Sequence, residues 1–165
     1  GLVRHEPRRG CFVNEVTEQD LADIFPVIAM LEGRCAHDAA ERASAADIQA
    51  LDVLHERLVA HAQAGRINDY YETNLAIHEA IIRLANNKWL AQTIGDLRKI
   101  LKLARWQQLH APGRLNQSLQ EHLAVFRAIQ QRDAKAAEQA MCEHLLQQHV
   151  ALRELAQVQR SVLTN

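Results

Sequence analysis

Three histidines and one asparagine are the residues of this 165-residue chain whose types and spacing could hold a metal ion. His122 and His144 lie at equal distances on either side of Asp133. If the chain reverses there between two antiparallel helices, both imidazoles lie about 16 Å from the turn and can face each other. Upstream, Asn74 and His78 stand at positions i and i+4, which places an amide oxygen and an imidazole on one helix face. These residues together provide four possible ligands.

The three histidines also lie on the apolar stripes of their helices. Their stripe neighbours are apolar residues, among them Leu75, Ile81, Leu119, Phe126, Met141 and Leu155. A single histidine on an apolar face is more often a hydrogen-bonded core residue than a ligand. Three that converge are a different case, because a divalent metal uses all three lone pairs, whereas burial without a cation leaves their nitrogens to be satisfied separately. The spacing alone leaves both interpretations open.

Other residues with catalytic potential give weaker signals. The remaining histidines are predicted to be solvated or to cap helices: His5, His37, His55, His61, His110 and His149. The sequence has no HExxH motif and no Glu three residues before a His, so the zincin and di-iron carboxylate patterns are missing. Glu79, Glu121 and Glu143 adjoin predicted ligands but should point away, because neighbouring helical residues diverge by about 100°. The sequence offers binding groups without an obvious general base.

The composition predicts one helical domain. The chain is 48% hydrophobic but only 4% aromatic, which favours a core of aliphatic residues. A formal charge of -1 lacks the basic surplus that phosphate binding needs, so any contact with nucleic acid should lie elsewhere. Three cysteines without CxxC spacing favour a reducing, cytoplasmic compartment. We expect neither a membrane span nor a secretion signal, since no long apolar run and no leader pattern occurs.

The body of the chain is predicted to be an all-α antiparallel bundle of about six helices with short connections. Helices are expected at 18–42, 45–64, 67–85, 88–110, 115–131 and 133–159. Thr17 with Asp20, and Ser44 with Asp47, fit the capping box at a helix start. Residues 1–14 differ, because two short apolar runs flank a basic turn that contains glycine, which predicts a β-hairpin. The hairpin would be marginal alone and therefore suggests the edge of another domain.

At this point the sequence resembles a known family, the FCD effector-binding domain of GntR-type bacterial transcription regulators of the FadR subfamily. The run Ser118-Leu119-Gln120-Glu121-His122, followed by Arg132-Asp133-Ala134 and Glu143-His144-Leu145, resembles the family's final helical hairpin. Asn74 to His78 resembles its Asp-x3-His helix. Gly1-Leu2-Val3 and Arg9-Gly10-Cys11-Phe12-Val13 resemble the wing of a winged helix-turn-helix. The resemblance implies that residues 1–14 are a remnant of a DNA-binding domain and that 15–165 form the effector-binding domain.

The resemblance also implies a ligand set and two departures from the family pattern. The family's metal ligands fall on Asn74, His78, His122 and His144, with Asn74 in place of an aspartate. An amide oxygen brings no charge, so a divalent transition metal, zinc or nickel in the first place, should bind more weakly. The arginine that clamps effectors in the family's first helix is also missing. Arg105, which continues an apolar stripe, is the predicted replacement, because a buried guanidinium needs an anion; the alternative is a snorkelling arginine at the bundle edge.

The resulting prediction is a regulatory domain, not an enzyme, that binds a small carboxylate effector at a metal site. By resemblance, the protein would act as a homodimer and bind operator DNA through an N-terminal domain outside this chain. Two alternatives stay open at this point. One is a metal-dependent enzyme that uses the same histidines and a metal-bound water. The other is a metal-free sensor whose histidines contact the ligand directly.

Overall fold

The chain folds as a bundle of helices in a computed structural model, which describes residues 3–6, 10–13 and 16–163. Its elements are β1 (Val3–Glu6), β2 (Gly10–Val13), α1 (Glu18–Arg42), α2 (Ala45–Gln63), α3 (Ile67–Leu84), α4 (Lys88–Gln107), α5 (Arg114–Gln130) and α6 (Ala134–Leu163). A short 3-10 helix, Gln108–His110, follows α4. The all-helical bundle is confirmed. Among the described residues, none of the helices is long and apolar enough to cross a membrane.

Local capping interactions determine where the first two bundle helices begin. The Thr17 hydroxyl accepts from the Asp20 backbone at 3.1 Å, and the Asp20 carboxylate accepts from the Thr17 backbone at 2.9 Å. Ser44 and Asp47 form the same reciprocal pair before α2. Both predicted capping boxes are confirmed, and they satisfy N–H groups that a helix start leaves free. The predicted boundaries differ most in α4, which gives way to the 3-10 helix, and in α6, which extends to Leu163.

A tight turn joins α5 to α6 where the sequence placed it. Arg132 adopts a left-handed backbone with φ of 60°, and the Asp133 N–H donates to the Ala128 carbonyl at 3.0 Å. Asp133 then caps α6, because its carboxylate accepts from the Ala136 N–H at 3.0 Å. The Arg132 side chain donates to the Ala40 carbonyl of α1 at 3.2 Å. These contacts fix the level of the two halves of the helical hairpin and attach it to the first helix.

Helix α1 packs most extensively against α6, and a small residue allows the close approach. A Cβ at Gly33 would clash with Cys142 Sγ and lie 3.2 Å from the Glu138 carbonyl oxygen. The Cys142 thiol donates to the Ala29 carbonyl at 3.2 Å on the same face. The core around this contact consists mainly of fully buried aliphatic and small residues such as Ile28, Ala36, Ala137, Met141 and Leu145. The α1–α6 contact thus closes the bundle around its centre.

The N-terminal strands pair in antiparallel fashion, with Val3 opposite Val13 and Glu6 opposite Gly10. The assignment of this hairpin to a winged helix-turn-helix domain is not supported by the described residues and stays a prediction. The predicted border between 1–14 and 15–165 falls outside the described residues. All the predicted site residues lie on the helices.

Candidate metal centre

Three imidazole rings from three helices meet in the core. His78 lies on α3, His122 on α5 and His144 on α6, and each is at most 1% exposed. Ring centroids lie 4.4 Å apart for His122 and His144, 5.0 Å for His78 and His122, and 5.3 Å for His78 and His144. One ring nitrogen from each lies within 4.8 Å of the others. The side chains converge as their spacing indicated, whereas their role as ligands stays a prediction.

Asn74 completes the predicted set from one helical turn before His78. Its side chain is buried, with 4% of the residue exposed. The amide Nδ2 donates to His122 Nε2 at 2.9 Å, so the amide group reaches from α3 to α5 at the level of the histidines. Asn74 is therefore next to the cluster, with its amide group directed at one of the three rings.

A carboxylate from α1 holds His78 from behind. His78 Nδ1 lies 2.6 Å from Glu32 Oε2, and Glu32 is 1% exposed. Arg98 on α4 donates two hydrogen bonds to the same carboxylate, from Nε to Oε1 at 2.8 Å and from a terminal nitrogen to Oε2 at 2.6 Å. This arrangement uses Nδ1 of His78 and leaves Nε2, which is buried without a hydrogen-bond partner among the described residues.

A second carboxylate holds His144 in the same way. His144 Nδ1 lies 2.7 Å from Glu121 Oε2, and Arg114 donates to both oxygens of Glu121 at 2.8 and 2.7 Å. Arg114 is itself 2% exposed, and its Nε donates to the Gln108 side chain at 2.6 Å. His144 Nε2 accepts from Gln148 Nε2 at 2.9 Å. Glu121 was predicted to point away from the metal, and its side chain reaches across the helical hairpin to His144 Nδ1 on α6.

Electrostatics keep the three imidazoles neutral. Burial lowers the pKa of His78 and His122 well below the ordinary histidine value, and burial also lowers that of His144. Burial raises the pKa of Glu32, but the Arg98 charge and the His78 contact outweigh this effect, and the net pKa lies well below its ordinary value. A neutral imidazole bonded to a carboxylate through Nδ1–H keeps a lone pair on Nε2, which is the form that binds a metal.

The residues present fit a divalent transition metal. Neutral imidazole nitrogens suit zinc, nickel, copper or iron, whereas magnesium and calcium prefer sets of oxygen ligands. A carboxylate behind a metal-binding histidine is a common arrangement, because it orients the ring and raises its basicity. His78 Nε2, which has no hydrogen-bond partner among the residues the structure describes, is the atom whose burial such an ion would explain.

Arg105 lies near this cluster on α4 as a buried cation. It is 3% exposed, which excludes the alternative of a snorkelling arginine at the bundle edge. Neither terminal nitrogen has a hydrogen-bond partner in the described part of the chain, although one lies 3.6 Å from Glu32 Oε1. Burial and the neighbouring Arg98 charge lower the pKa of Arg105 to about 10. Its role in effector binding stays a prediction.

Sequence reasoning missed several residues around the histidines. Glu32 and Arg98 act on the site through contacts between helices that periodicity does not reveal, whereas Arg114 bonds to Glu121 two turns further along α5 itself. His55, predicted to be solvated or capping, is 2% exposed and stacks on Phe126 with ring centroids 4.3 Å apart. That prediction is wrong, because the aromatic ring of α5 covers this part of α2. Only the proximity of Glu121 to His122 in the sequence could have drawn attention to one of the carboxylates.

Comparison with known proteins identifies the family. The FCD domain family matches residues 23–147. The HTH-type transcriptional repressor RspR of Escherichia coli is 25% identical over 158 residues, which cover 95% of this chain and 69% of that protein. The galactonate operon transcriptional repressor of Escherichia coli is 30% identical over 145 residues, covering 86% of this chain and 62% of that protein.

Solved structures share the fold. Escherichia coli McbR/YncC gives a TM-score of 0.82 at 20% identity, over 94% of this chain and 74% of that one. A GntR family member from Pseudomonas syringae pv. tomato gives 0.68 at 20% identity, over 97% of this chain and 66% of that one. The FCD family is regulatory, which removes the alternative of a metal-dependent enzyme. The chain belongs to the FCD domain family and is the effector-binding regulatory domain of a GntR-family transcription regulator.

Proposed function

We propose that this domain senses a small carboxylate through a divalent metal held by His78, His122 and His144, with Asn74 as a weaker fourth ligand. The observation that carries the proposal is the convergence of three buried, neutral imidazoles, of which His78 leaves its Nε2 without a partner in the described chain. Zinc and nickel are the first metals to test, because imidazole nitrogens accept both. The metal would supply Lewis acidity and open coordination positions, while the chain's own residues orient the rings and exclude water.

The chemistry of the surroundings favours an anionic effector. With Asn74 in the place of a carboxylate, the ligand set itself carries no negative charge to offset a divalent ion. The buried guanidinium of Arg105, without a hydrogen-bonded anion among the described residues, adds a further positive charge close by. A carboxylate is the anion that matches a guanidinium in shape and charge. One relative is named as a repressor of the galactonate operon, so galactonate, a sugar acid, is a suitable first probe.

The regulatory output would require partners outside this chain. We propose that residues 15–165 form the sensing domain, that residues 1–14 continue an N-terminal DNA-binding domain, and that two copies associate as a homodimer on operator DNA. The names of two relatives, an HTH-type transcriptional repressor and a repressor of the galactonate operon, support the contact with operator DNA. Any effect of the carboxylate on operator affinity must equal its difference in binding between two arrangements of the protein.

A metal-free sensor is a second candidate, and specific hydrogen bonds favour it. Asn74 Nδ2 donates to His122 Nε2, and Gln148 Nε2 donates to His144 Nε2, both at 2.9 Å. These two bonds satisfy two of the three rings without an ion. In this case the substitution of asparagine for the family's aspartate would have removed the metal, and the histidines would contact the effector directly.

Elemental analysis separates the two candidates. The chain should be purified without a metal-affinity column or chelator and compared with the His78→Ala, His144→Ala double variant. Buried His55, which lies outside the trio, provides the matched control as His55→Ala, with the fold of each variant checked by circular dichroism. About one transition-metal ion per chain in the parent and in the His55 variant, and none in the double variant, is the expected result. A parent that stays metal-free after zinc or nickel supplementation contradicts the metal proposal and favours the metal-free sensor.

A further inference from the structure

Two arginine–carboxylate–histidine contacts of the same kind flank the candidate centre. The first, Arg98–Glu32–His78, joins α4, α1 and α3. The second, Arg114–Glu121–His144, joins α5 to α6. In both, a guanidinium donates two hydrogen bonds to one carboxylate, and one oxygen of that carboxylate accepts from a histidine Nδ1. We call these the α1 relay and the α5 relay.

The geometry of both relays constrains the carboxylate strongly. In the α1 relay, Glu32 is 1% exposed and its two oxygens accept from Arg98 at 2.8 and 2.6 Å. In the α5 relay, Arg114 is 2% exposed and donates to Glu121 at 2.8 and 2.7 Å. Bidentate contacts between arginine and carboxylate are short and directional, so each carboxylate has one preferred orientation.

An ionised carboxylate can only accept hydrogen bonds. The ring nitrogen 2.6 Å from Glu32 and the one 2.7 Å from Glu121 must therefore each carry the hydrogen. Because a neutral imidazole has one N–H, the opposite nitrogen of each ring then keeps its lone pair. His122 differs, since no hydrogen bond joins its ring to a carboxylate of the described residues; its Nε2 accepts from Asn74.

We infer that Arg98 and Arg114 are positioning residues that fix His78 and His144 in the Nδ1–H tautomer, so that both rings present an Nε2 lone pair to the centre of the bundle. The purpose of this arrangement rests on the proposed metal site, but the tautomers are a property of the metal-free chain. Each arginine acts on its own histidine through its own carboxylate. Replacement of one arginine should therefore change the tautomer of its own histidine and leave the other histidine unchanged.

The test reads the tautomer of each ring directly. Long-range proton–nitrogen spectra of the uniformly 15N-labelled, metal-free chain at neutral pH distinguish a protonated from an unprotonated ring nitrogen. Signals are assigned with His78→Gln and His144→Gln variants. In the parent, we expect both rings to carry the hydrogen on Nδ1. A parent ring that carries its hydrogen on Nε2 overturns the inference without any arginine variant.

The arginine variants serve as controls for one another. Without the two-pronged contact, a carboxylate can rotate away from its histidine, and the ring becomes free to adopt either tautomer. Arg98→Gln should give a mixture of tautomers at His78 and leave His144 unchanged, while Arg114→Gln should do the reverse. Arg98→Lys and Arg114→Lys keep the charge but lose the second hydrogen bond, so each should fall between its parent and Gln variant. If a Gln variant does not fold, its Lys variant carries the comparison with the parent.

A zinc competition assay with a chromogenic chelator gives the second readout. Removal of a contact behind a metal-binding histidine weakens binding by about 10-fold to 100-fold, and we expect each Gln variant to fall in this range. Folded arginine variants with parental tautomers, or variants that disturb both histidines equally, contradict the inference. A parent that shows the expected tautomers but binds no zinc would contradict the proposed function and leave the relays in place.

Discussion

The amide of Asn74 donates to His122 Nε2 at 2.9 Å, which connects the fourth predicted ligand on α3 with the predicted ligand on α5. The contact puts a neutral side chain at a position from which a carboxylate would face the same ring. It also gives the metal-free chain a way to satisfy one buried imidazole. The balance between the two candidate functions therefore depends on this residue.

Replacement of Asn74 by Asp should raise zinc affinity, because it adds a negative charge next to the three neutral rings. Even at an effective dielectric constant of about 20, a unit charge this close changes binding by more than about 1.4 kcal/mol, or about tenfold. Zinc competition titrations measure the change. Asn116→Asp, on the exposed face of α5, makes the same change in net charge and should leave affinity unchanged. Equal affinities in the parent and the Asn74→Asp variant would show that position 74 does not contact the metal.

Arg105→Met should abolish most of the stabilisation that galactonate, or another small carboxylate that binds, gives to the zinc-loaded chain in a thermal-shift titration. The variant removes the cation but keeps the packing volume of the side chain. Its own stability should be equal to or above that of the parent, because the buried guanidinium leaves two terminal nitrogens without hydrogen-bond partners in the described chain. Zinc content should stay at the parental level. A variant with parental carboxylate affinity would remove Arg105 from the effector site.

Gly33→Ala should destabilise the bundle by about 1–3 kcal/mol, because the new methyl group overpacks the α1–α6 contact. The clash is with Cys142 Sγ, so Cys142→Ala in the same chain should restore part of the loss. Gly95→Ala is the matched control, since a Cβ there meets nothing within 4 Å and alanine favours a helix by about 0.5–1 kcal/mol. Urea unfolding curves give the free energy of unfolding of the parent, of the two single glycine variants and of the Gly33→Ala, Cys142→Ala double variant. A Gly33→Ala variant as stable as Gly95→Ala would show that the two helices are farther apart in solution.

The metal-free chain should lose stability as the pH falls below about 6.5. Burial lowers the pKa of His78, His122 and His144 in the folded state, so the unfolded chain takes up protons that the folded chain does not. Between its folded pKa and about 6.5, each histidine lowers the free energy of unfolding by at most about 1.4 kcal/mol for each pH unit of acidification.

The lowered pKa values of Glu32 and Glu121 add a further loss at lower pH. Their stabilisation is present above the ordinary glutamate value of about 4.3 and disappears as the pH falls through the folded pKa. Urea unfolding across the acidic range measures both effects, and His78→Gln should reduce the slope in the histidine window. A stability that does not change between about pH 7 and 5 would contradict the burial of neutral imidazoles.

Features encoded by short stretches of sequence were predictable, and contacts between distant helices were not. Thr17 and Asp20 determine a helix start by themselves, because both partners of the capping box lie within one turn. The equal spacing of His122 and His144 about Asp133 predicted their meeting, since the tight turn keeps the two helices in register. Glu32 is 46 residues from His78 in the chain, and no period connects them. Its role becomes visible only when α1 is packed against α3.

The complete burial of the three rings also has a kinetic consequence. With His78, His122 and His144 at most 1% exposed, a metal ion or carboxylate can reach them only when the helices separate transiently. Such opening is typically a microsecond-to-millisecond motion, independent of ligand concentration. Stopped-flow association rates should therefore rise with zinc concentration at first and then level off at the opening rate of the bundle. The response of such a regulator would then be limited by the opening rate of its helical bundle, even at a high concentration of metal or effector.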